Sequence, residues 1–325
     1  MIELEHPTAH GRSRASSALP REIVVVGSVA LDNVETPFGR VENALGGSAT
    51  YFATAASFYA PVKLVGVVGD DFPPEHVDFL RQRRVDLAGL EVIQGGRTFR
   101  WSGRYEYDLN TAHTLDTQLN VFAEFSPKLP ATYRQPGLLF LANIAPELQR
   151  AVLEQIERPE LVALDTMNFW ISSRRDALAE VMRCVDVVLI NEAEARQFAD
   201  TYSLLGAART ILELGPKAVI IKKGEYGASM FTDGEHPGET YFFAPAYPLE
   251  TVKDPTGAGD TFAGGFLGAL AREPVLDTAA FRRAIVHGSV MASFTVEDFS
   301  VNRLRALTPD EIGRRFAEFQ AFTQF

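Results

Sequence analysis

Hydrophobic positions along the chain fall in short β-branched runs separated by stretches of helical period. The runs are Ile23 to Val26, Lys63 to Val68, Gly137 to Ala142, Leu161 to Asp165, Val185 to Ile190 and Ala218 to Lys222. Such alternation predicts parallel strands joined by helical crossovers. Between two of the runs, Leu148, Val152 and Ile156 recur every four residues after Pro146, as one face of an amphipathic helix requires. Near the C-terminus, Thr308 and Glu311 have capping-box spacing, Pro309 suits the first helical position, and Ile312, Phe316 and Phe319 form an apolar stripe. No repeat of solenoid length occurs and no Gly/Ser linker divides the chain, which predicts one doubly wound α/β core over residues 21–325.

One segment breaks the alternation. In RTFRWSGRYEY, Phe99, Trp101, Tyr105 and Tyr107 share one side of a period of two, and polar residues take the other. A second strand is expected at His113 to Phe122, and a shorter pair flanks Pro37 to Gly39. These predict a small antiparallel sheet inserted at about 33–45 and 97–121. Its aromatic face either packs an edge onto the core, covers a ligand as a lid, or clasps a second subunit.

Composition narrows the class. Apolar residues are 46% and charged residues 22% of 325, which is globular rather than disordered. The net charge of −11 disfavours a binder of the nucleic-acid backbone. The uncharged apolar stretch around Pro136 to Pro146 is far short of the roughly 18 residues a membrane span needs. The first twenty residues are polar and lack the apolar core of a secretory signal, so they read as a mobile tail on a cytoplasmic protein. The single cysteine, Cys184, lies in the apolar stretch MRCVDVVLI and is expected to pack in the core.

The strongest chemical signal is Asp254-Pro-Thr-Gly-Ala-Gly-Asp260-Thr-Phe, followed by Ala-Gly-Gly-Phe. Small residues at Gly257, Ala258 and Gly259 open a helical pattern, so free amides and a positive helix end converge on a place suited to phosphate. An aspartate there repels an anion unless it faces a hydroxyl that must lose its proton, while the amides stabilise the phosphoryl group in transfer. The alternative is that Asp260 caps the helix. A Walker loop is absent. Phe262 spoils a dinucleotide fingerprint, and the common zinc and acyl-transfer templates do not occur.

DPTGAGDTFAGGF resembles the C-terminal signature of the ribokinase-like, or PfkB, family of carbohydrate and nucleoside kinases. Its companions follow in order. GSVALD, ending in Asp32, is similar to the family's first strand and sugar-binding aspartate, and LGGSATYFATAAS, with Gly46 and Gly47, resembles its di-glycine signature. Asn191-Glu-Ala-Glu194 matches the N-x-x-E motif, and IIKKGEYGA matches the nucleotide-side strand and turn, through Gly224 and Gly227. The resemblance covers Ile23 to the C-terminus and implies a mostly parallel sheet flanked by helices, with a β-sheet lid. It implies transfer of the ATP γ-phosphoryl group to a hydroxyl, with Asp260 as general base and an anion hole of Gly257, Ala258 and Gly259 amides. Asn191 and Glu194 would organise Mg²⁺ through water, Lys222, Gly224 and Gly227 would border the nucleotide, and Asp32, Gly46 and Gly47 would hold the acceptor. Adenine would lie near Val286 to Phe294, where His287 is either its neighbour or a packed core histidine.

Three positions depart from the family's pattern. Pro255 replaces a usual Thr, Tyr51 stands where an Asn commonly reads sugar hydroxyls, and Asp165-Thr-Met-Asn168 holds one residue more than the common D-P-N. Neither Asp165 nor Asn168 is therefore expected to be catalytic, whereas Tyr51, Trp101 and Tyr105 are expected to face the acceptor. The expected activity is an ATP-dependent carbohydrate kinase, with a nucleoside kinase or a non-catalytic sugar- or nucleotide-binding protein as alternatives. Activation by K⁺ and a homodimer paired through the lids remain open.

Overall fold

The computed structural model describes residues 19–234 and 240–324, so the expected N-terminal tail lies, for residues 1–18, outside the described residues. Nine strands form the main sheet: β1 Ile23–Val26, β4 Val62–Gly69, β5 Val85–Ile93, β8 Leu138–Leu141, β9 Leu161–Asp165, β10 Val187–Asn191, β11 Ala218–Lys222, β12 Ala228–Thr232 and β13 Tyr241–Ala244. Their order is β13-β12-β11-β10-β9-β8-β1-β4-β5. All neighbours pair in parallel except β11 with β12 and β12 with β13. The chain runs from β1 outward through β4 to β5, then returns to the other side of β1 at β8. That reversal leaves a crevice at the carboxyl ends of the strands, where ligands of open α/β sheets bind.

Why the central strands read as unbroken apolar runs follows from the layers. In β1, Ile23 and Val25 point into one core and Val24 and Val26 into another, and all four are fully buried. The first core lies under helices Ser48–Ala56, Ala258–Leu270 and Thr278–Thr295. The second lies under helices Pro146–Leu153, Arg175–Met182, Glu192–Ala199 and Leu204–Leu212. A strand covered on both faces has no polar face to alternate with. The C-terminal helix Pro309–Phe322 forms with the capping box expected of Thr308 and Glu311, and buries Ile312 and Phe319.

The second sheet has the order β3-β2-β6-β7, from β2 Ala30–Thr36, β3 Gly39–Gly46, β6 Phe99–Tyr105 and β7 Ala112–Gln118. It is two antiparallel hairpins joined by a parallel contact of β2 with β6. Two local expectations change. The strand expected to reach Phe122 stops at Gln118, because Asn120 turns into the left-handed region (φ 49°) and its side-chain amide donates to Thr98 O at 2.9 Å. Phe122 is thereby turned inward to stack on Phe99 and Phe125. The strand of aromatics ends at Tyr105, which leaves Tyr107 82% exposed beside Phe38 instead of on the inner face.

Cys184 is exposed, not packed in the core. It falls in the turn between helix Arg175–Met182 and β10, where Met182 and Val185 take the buried positions and leave the thiol outside, near Glu180 O. Among the described residues, no helix is long and apolar enough to cross a membrane.

Candidate active site

One half of the candidate site is built where β1 hands over to the small sheet. Asp32 on β2 is 5% exposed and pairs in register with Trp101 on β6, so the two side chains lie on the same face. A Cβ on Gly46 would collide with the Asp32 carboxylate, and Gly47 has φ 94° with its amide hydrogen-bonded to that carboxylate. The di-glycine thus opens room for one buried acid and donates to it. Burial, then the Asp254 charge, pushes the Asp32 carboxyl up to about 7. Tyr51, one turn into helix Ser48–Ala56, is buried with its ring packed on Gly257.

The loop Asp254 to Gly257 is tied at its first residue. Asp254 accepts from Thr256 N at 2.9 Å and from Ser300 N at 3.3 Å. Pro255 lacks an amide to contribute, and its carbonyl accepts from Ala258 N at 3.1 Å. Gly257 takes the left-handed conformation (φ 75°) at the start of helix Ala258–Leu270, and the Tyr51 ring leaves no space for a Cβ there. Among the described residues no backbone acceptor is found for the Gly257 and Gly259 amides, whereas the Ala258 amide is engaged in the turn. Asp260 sits in the first turn of this helix, three residues past the N-cap Gly257, and its carboxylate accepts from its own backbone amide. Burial, then Asp165, pushes Asp260 up to about 7, with Lys222 opposing.

Across the cradle, Asn191 and Lys222 end β10 and β11 as register partners. Asn191 and Glu194 form a capping box: Asn191 Oδ1 accepts from Glu194 N at 2.8 Å and Glu194 Oε2 accepts from Asn191 N at 2.9 Å. Burial and the Asp165 charge push Glu194 up to about 7. Lys222 Nζ lies 2.5 Å from Asp165 Oδ2, and 3.1 Å from where a Cβ on Gly259 would stand. Burial alone would lower the Lys222 ammonium, but Asp165 and Glu194 hold it above its ordinary value. Gly224 (φ 54°) and Gly227 (φ 83°) shape the turn after β11, and a Cβ on Gly227 would strike Ala244 O.

The small sheet meets this loop at Tyr105, whose hydroxyl accepts from Thr256 Oγ1 at 3.3 Å. Trp101 is half-buried, and its indole N–H donates to Thr114 Oγ1 at 3.2 Å. His287 in helix Thr278–Thr295 stacks on Phe316 with centroids 4.2 Å apart, and burial pushes it down to about 4, as suits a packed neutral histidine.

Asp165 is the residue the sequence did not assign. The available signal was positional: it closes β9, beside the strand ends that carry Asn191 and Lys222. The described residues hold no cluster of three or more His, Cys, Asp or Glu able to ligate a metal directly. Glu194 keeps Oε1 outside its capping box, and hard oxygen donors of this kind suit a hydrated Mg²⁺ held through water.

Residues 20–305 match the pfkB family carbohydrate kinases. The cytidine kinase of Thermococcus kodakarensis is 32% identical over 257 residues, 77% of this chain and 89% of that protein. Among solved structures, the Methanocaldococcus jannaschii nucleoside kinase aligns with a TM-score of 0.73 at 20% identity, over 93% of this chain and 100% of its own. A putative ribokinase II from E. coli, in complex with ATP and Mg²⁺, aligns with a TM-score of 0.72 at 18% identity, over 92% and 99%. The chain belongs to the pfkB family of carbohydrate kinases and is a phosphotransferase with an alcohol group as acceptor.

Proposed function

We propose that the protein transfers the γ-phosphoryl group of ATP to a hydroxyl of a nucleoside, with Asp260 as the general base. The observation that carries this reading is a pair of carboxylates, the buried Asp32 and the half-buried Asp260, beside the glycine cradle and close enough for Asp260 to raise the Asp32 carboxyl. Asp32 accepts from acceptor hydroxyls and fixes their orientation. Asp260, ionised, takes the proton of the hydroxyl that attacks, and the Gly257 and Gly259 amides donate to the phosphoryl oxygens on which charge builds. The left-handed Gly257 and the helix start fix these groups in advance, so little reorganisation accompanies the transfer. The Asn191–Glu194 pair fits a hydrated Mg²⁺, which when bound with ATP neutralises phosphate charge.

A nucleoside is favoured over a free sugar by the aromatic wall. Trp101 shares the Asp32 face of the small sheet, and Tyr105 closes onto the catalytic loop, which gives a base a surface to stack on beside the hydroxyl-reading acid. The similarity to a cytidine kinase over 89% of that protein supports the same choice. An ATP-consumption screen over nucleosides, pentoses, hexoses and inositols tests it. The highest kcat/KM is expected with a nucleoside. A higher value with a free sugar would replace the nucleoside by that sugar, and no turnover with any acceptor would sink the kinase reading.

A further inference from the structure

Behind the cradle lies a buried chain of contacts. Gln149, in helix Pro146–Leu153, is fully buried, and its Nε2 donates to both Ala142 O and Asp165 O at 3.0 Å. Ala142 follows β8 and Asp165 ends β9, so one side-chain amide ties two adjacent strand ends. On its other side Asp165 is fixed by its own turn, since Oδ1 accepts from Thr166 N at 2.8 Å. The remaining oxygen, Oδ2, holds Lys222 Nζ at 2.5 Å, and that ammonium rests against Gly259.

We propose that Gln149 and Asp165 are positioning residues that hold the Lys222 ammonium against the cradle, aimed at the phosphoryl group in transfer. The inference rests on the phosphoryl-transfer reading above. Two features need explaining beyond stability. A fully buried Gln satisfies two carbonyls with its amide nitrogen yet leaves Oε1 without a partner among the described residues, a cost that an apolar residue at the same place would not carry. A buried ion pair is also weak evidence for stability, because desolvation offsets much of the attraction. Both make sense as geometry. Three acids, Asp165, Glu194 and Asp260, lie within electrostatic reach of one ammonium. The Asp165 bond decides which of them the ammonium serves. Without it, a flexible four-carbon stem is free to swing toward Asp260 and form an ion pair with the base.

Kinetics of Asp165→Asn, Gln149→Leu and Lys222→Met, together with the two double variants that combine Lys222→Met with either of the others, test the proposal. Asp165→Asn and Gln149→Leu are each expected to lower kcat about tenfold with acceptor KM within about twofold and the melting temperature little changed. In the Lys222→Met background neither should lower kcat further, because there is no ammonium left to place. Multiplicative losses in the double variants, or losses that follow the melting temperature, would overturn it. The same cycle read on ATP affinity by calorimetry needs no acceptor. There Asp165→Asn should alter the dissociation constant at least threefold with Lys222 present and leave it unchanged without it. An equal change in both backgrounds means that Asp165 acts on the phosphates directly, and the proposal fails. A wild type that binds ATP but phosphorylates nothing sinks the function alone, and the binding cycle then decides the brace.

Discussion

Tyr105 and Thr256 are joined by a hydrogen bond of 3.3 Å, which links the inner strand of the small sheet to the loop that leads into the helix carrying Asp260. The contact spans 151 residues of sequence. The small sheet and the loop are therefore in direct contact, and if the sheet closes over substrate the two would move together. Tyr105→Phe should raise acceptor KM several-fold with the fold intact. Tyr105→Ala and Trp101→Ala should also raise the ratio of ATP hydrolysed to product formed, since an open site admits water. If these rings only pack the sheet, stability drops by the ~3 to 5 kcal/mol typical of a lost buried aromatic, and KM and coupling stay at the wild-type values. Melting curves and coupled assays on the three variants separate the outcomes.

Asp260→Asn should abolish turnover and leave ATP affinity within a few-fold of wild type. The amide keeps the shape but cannot take a proton, and positioned bases contribute ~10² to 10⁴ in rate. A loss below tenfold, with chemistry rate-limiting, would remove Asp260 from the mechanism.

The raised carboxyls set two pH dependences of opposite consequence. Asp260 must be ionised to act, and burial holds it at about 7, so log kcat/KM should fall by about one per pH unit below that value. A flat profile down to pH 5 would contradict the assignment. Stability runs the other way. Asp32 and Asp260 retain protons in the folded state that the unfolded chain releases near pH 4, so folding free energy is lost as pH rises from about 4 to 7. At pH 8 Asp260→Asn and Asp32→Asn should each melt a few degrees above wild type, by roughly 2 to 4 °C per kcal/mol. Calorimetry at pH 5 and pH 8 checks the sign, because the gain should shrink at the lower pH.

Glu194→Gln should raise the Mg²⁺ concentration for half-maximal rate several-fold while the melting temperature holds. Gln preserves the capping box with Asn191 but lacks the charge that orders the ion's water shell. An unchanged Mg²⁺ dependence with a lower melting temperature would reduce the pair to a helix cap.

Much of this was legible in order along the chain. The strands Ile23–Val26, Leu161–Asp165 and Ala218–Lys222 end where their apolar runs end, because a strand buried on both faces has nothing else to signal. Asp260, Asp32 and the glycines were visible because a tight backbone and a lone acid leave a local pattern. Asp165 was not, since its role depends on Lys222, 57 residues later, and on Gln149 behind it. Gln149 reads in sequence as an ordinary polar position of an amphipathic helix. Tyr107 and Phe122 misled for the same reason: a period of two continues in the letters after the backbone has turned.

The position of Cys184 has a practical use. Its exposed thiol precedes β10 at Val187, whereas Asn191, at the opposite end of that strand, belongs to the proposed site. No other thiol exists in the chain to compete with it. A maleimide linker or fluorophore would attach at one point on the far pole of the sheet. The protein can thus be grafted to a surface with the carboxyl ends of its strands facing outward, without engineering a single codon.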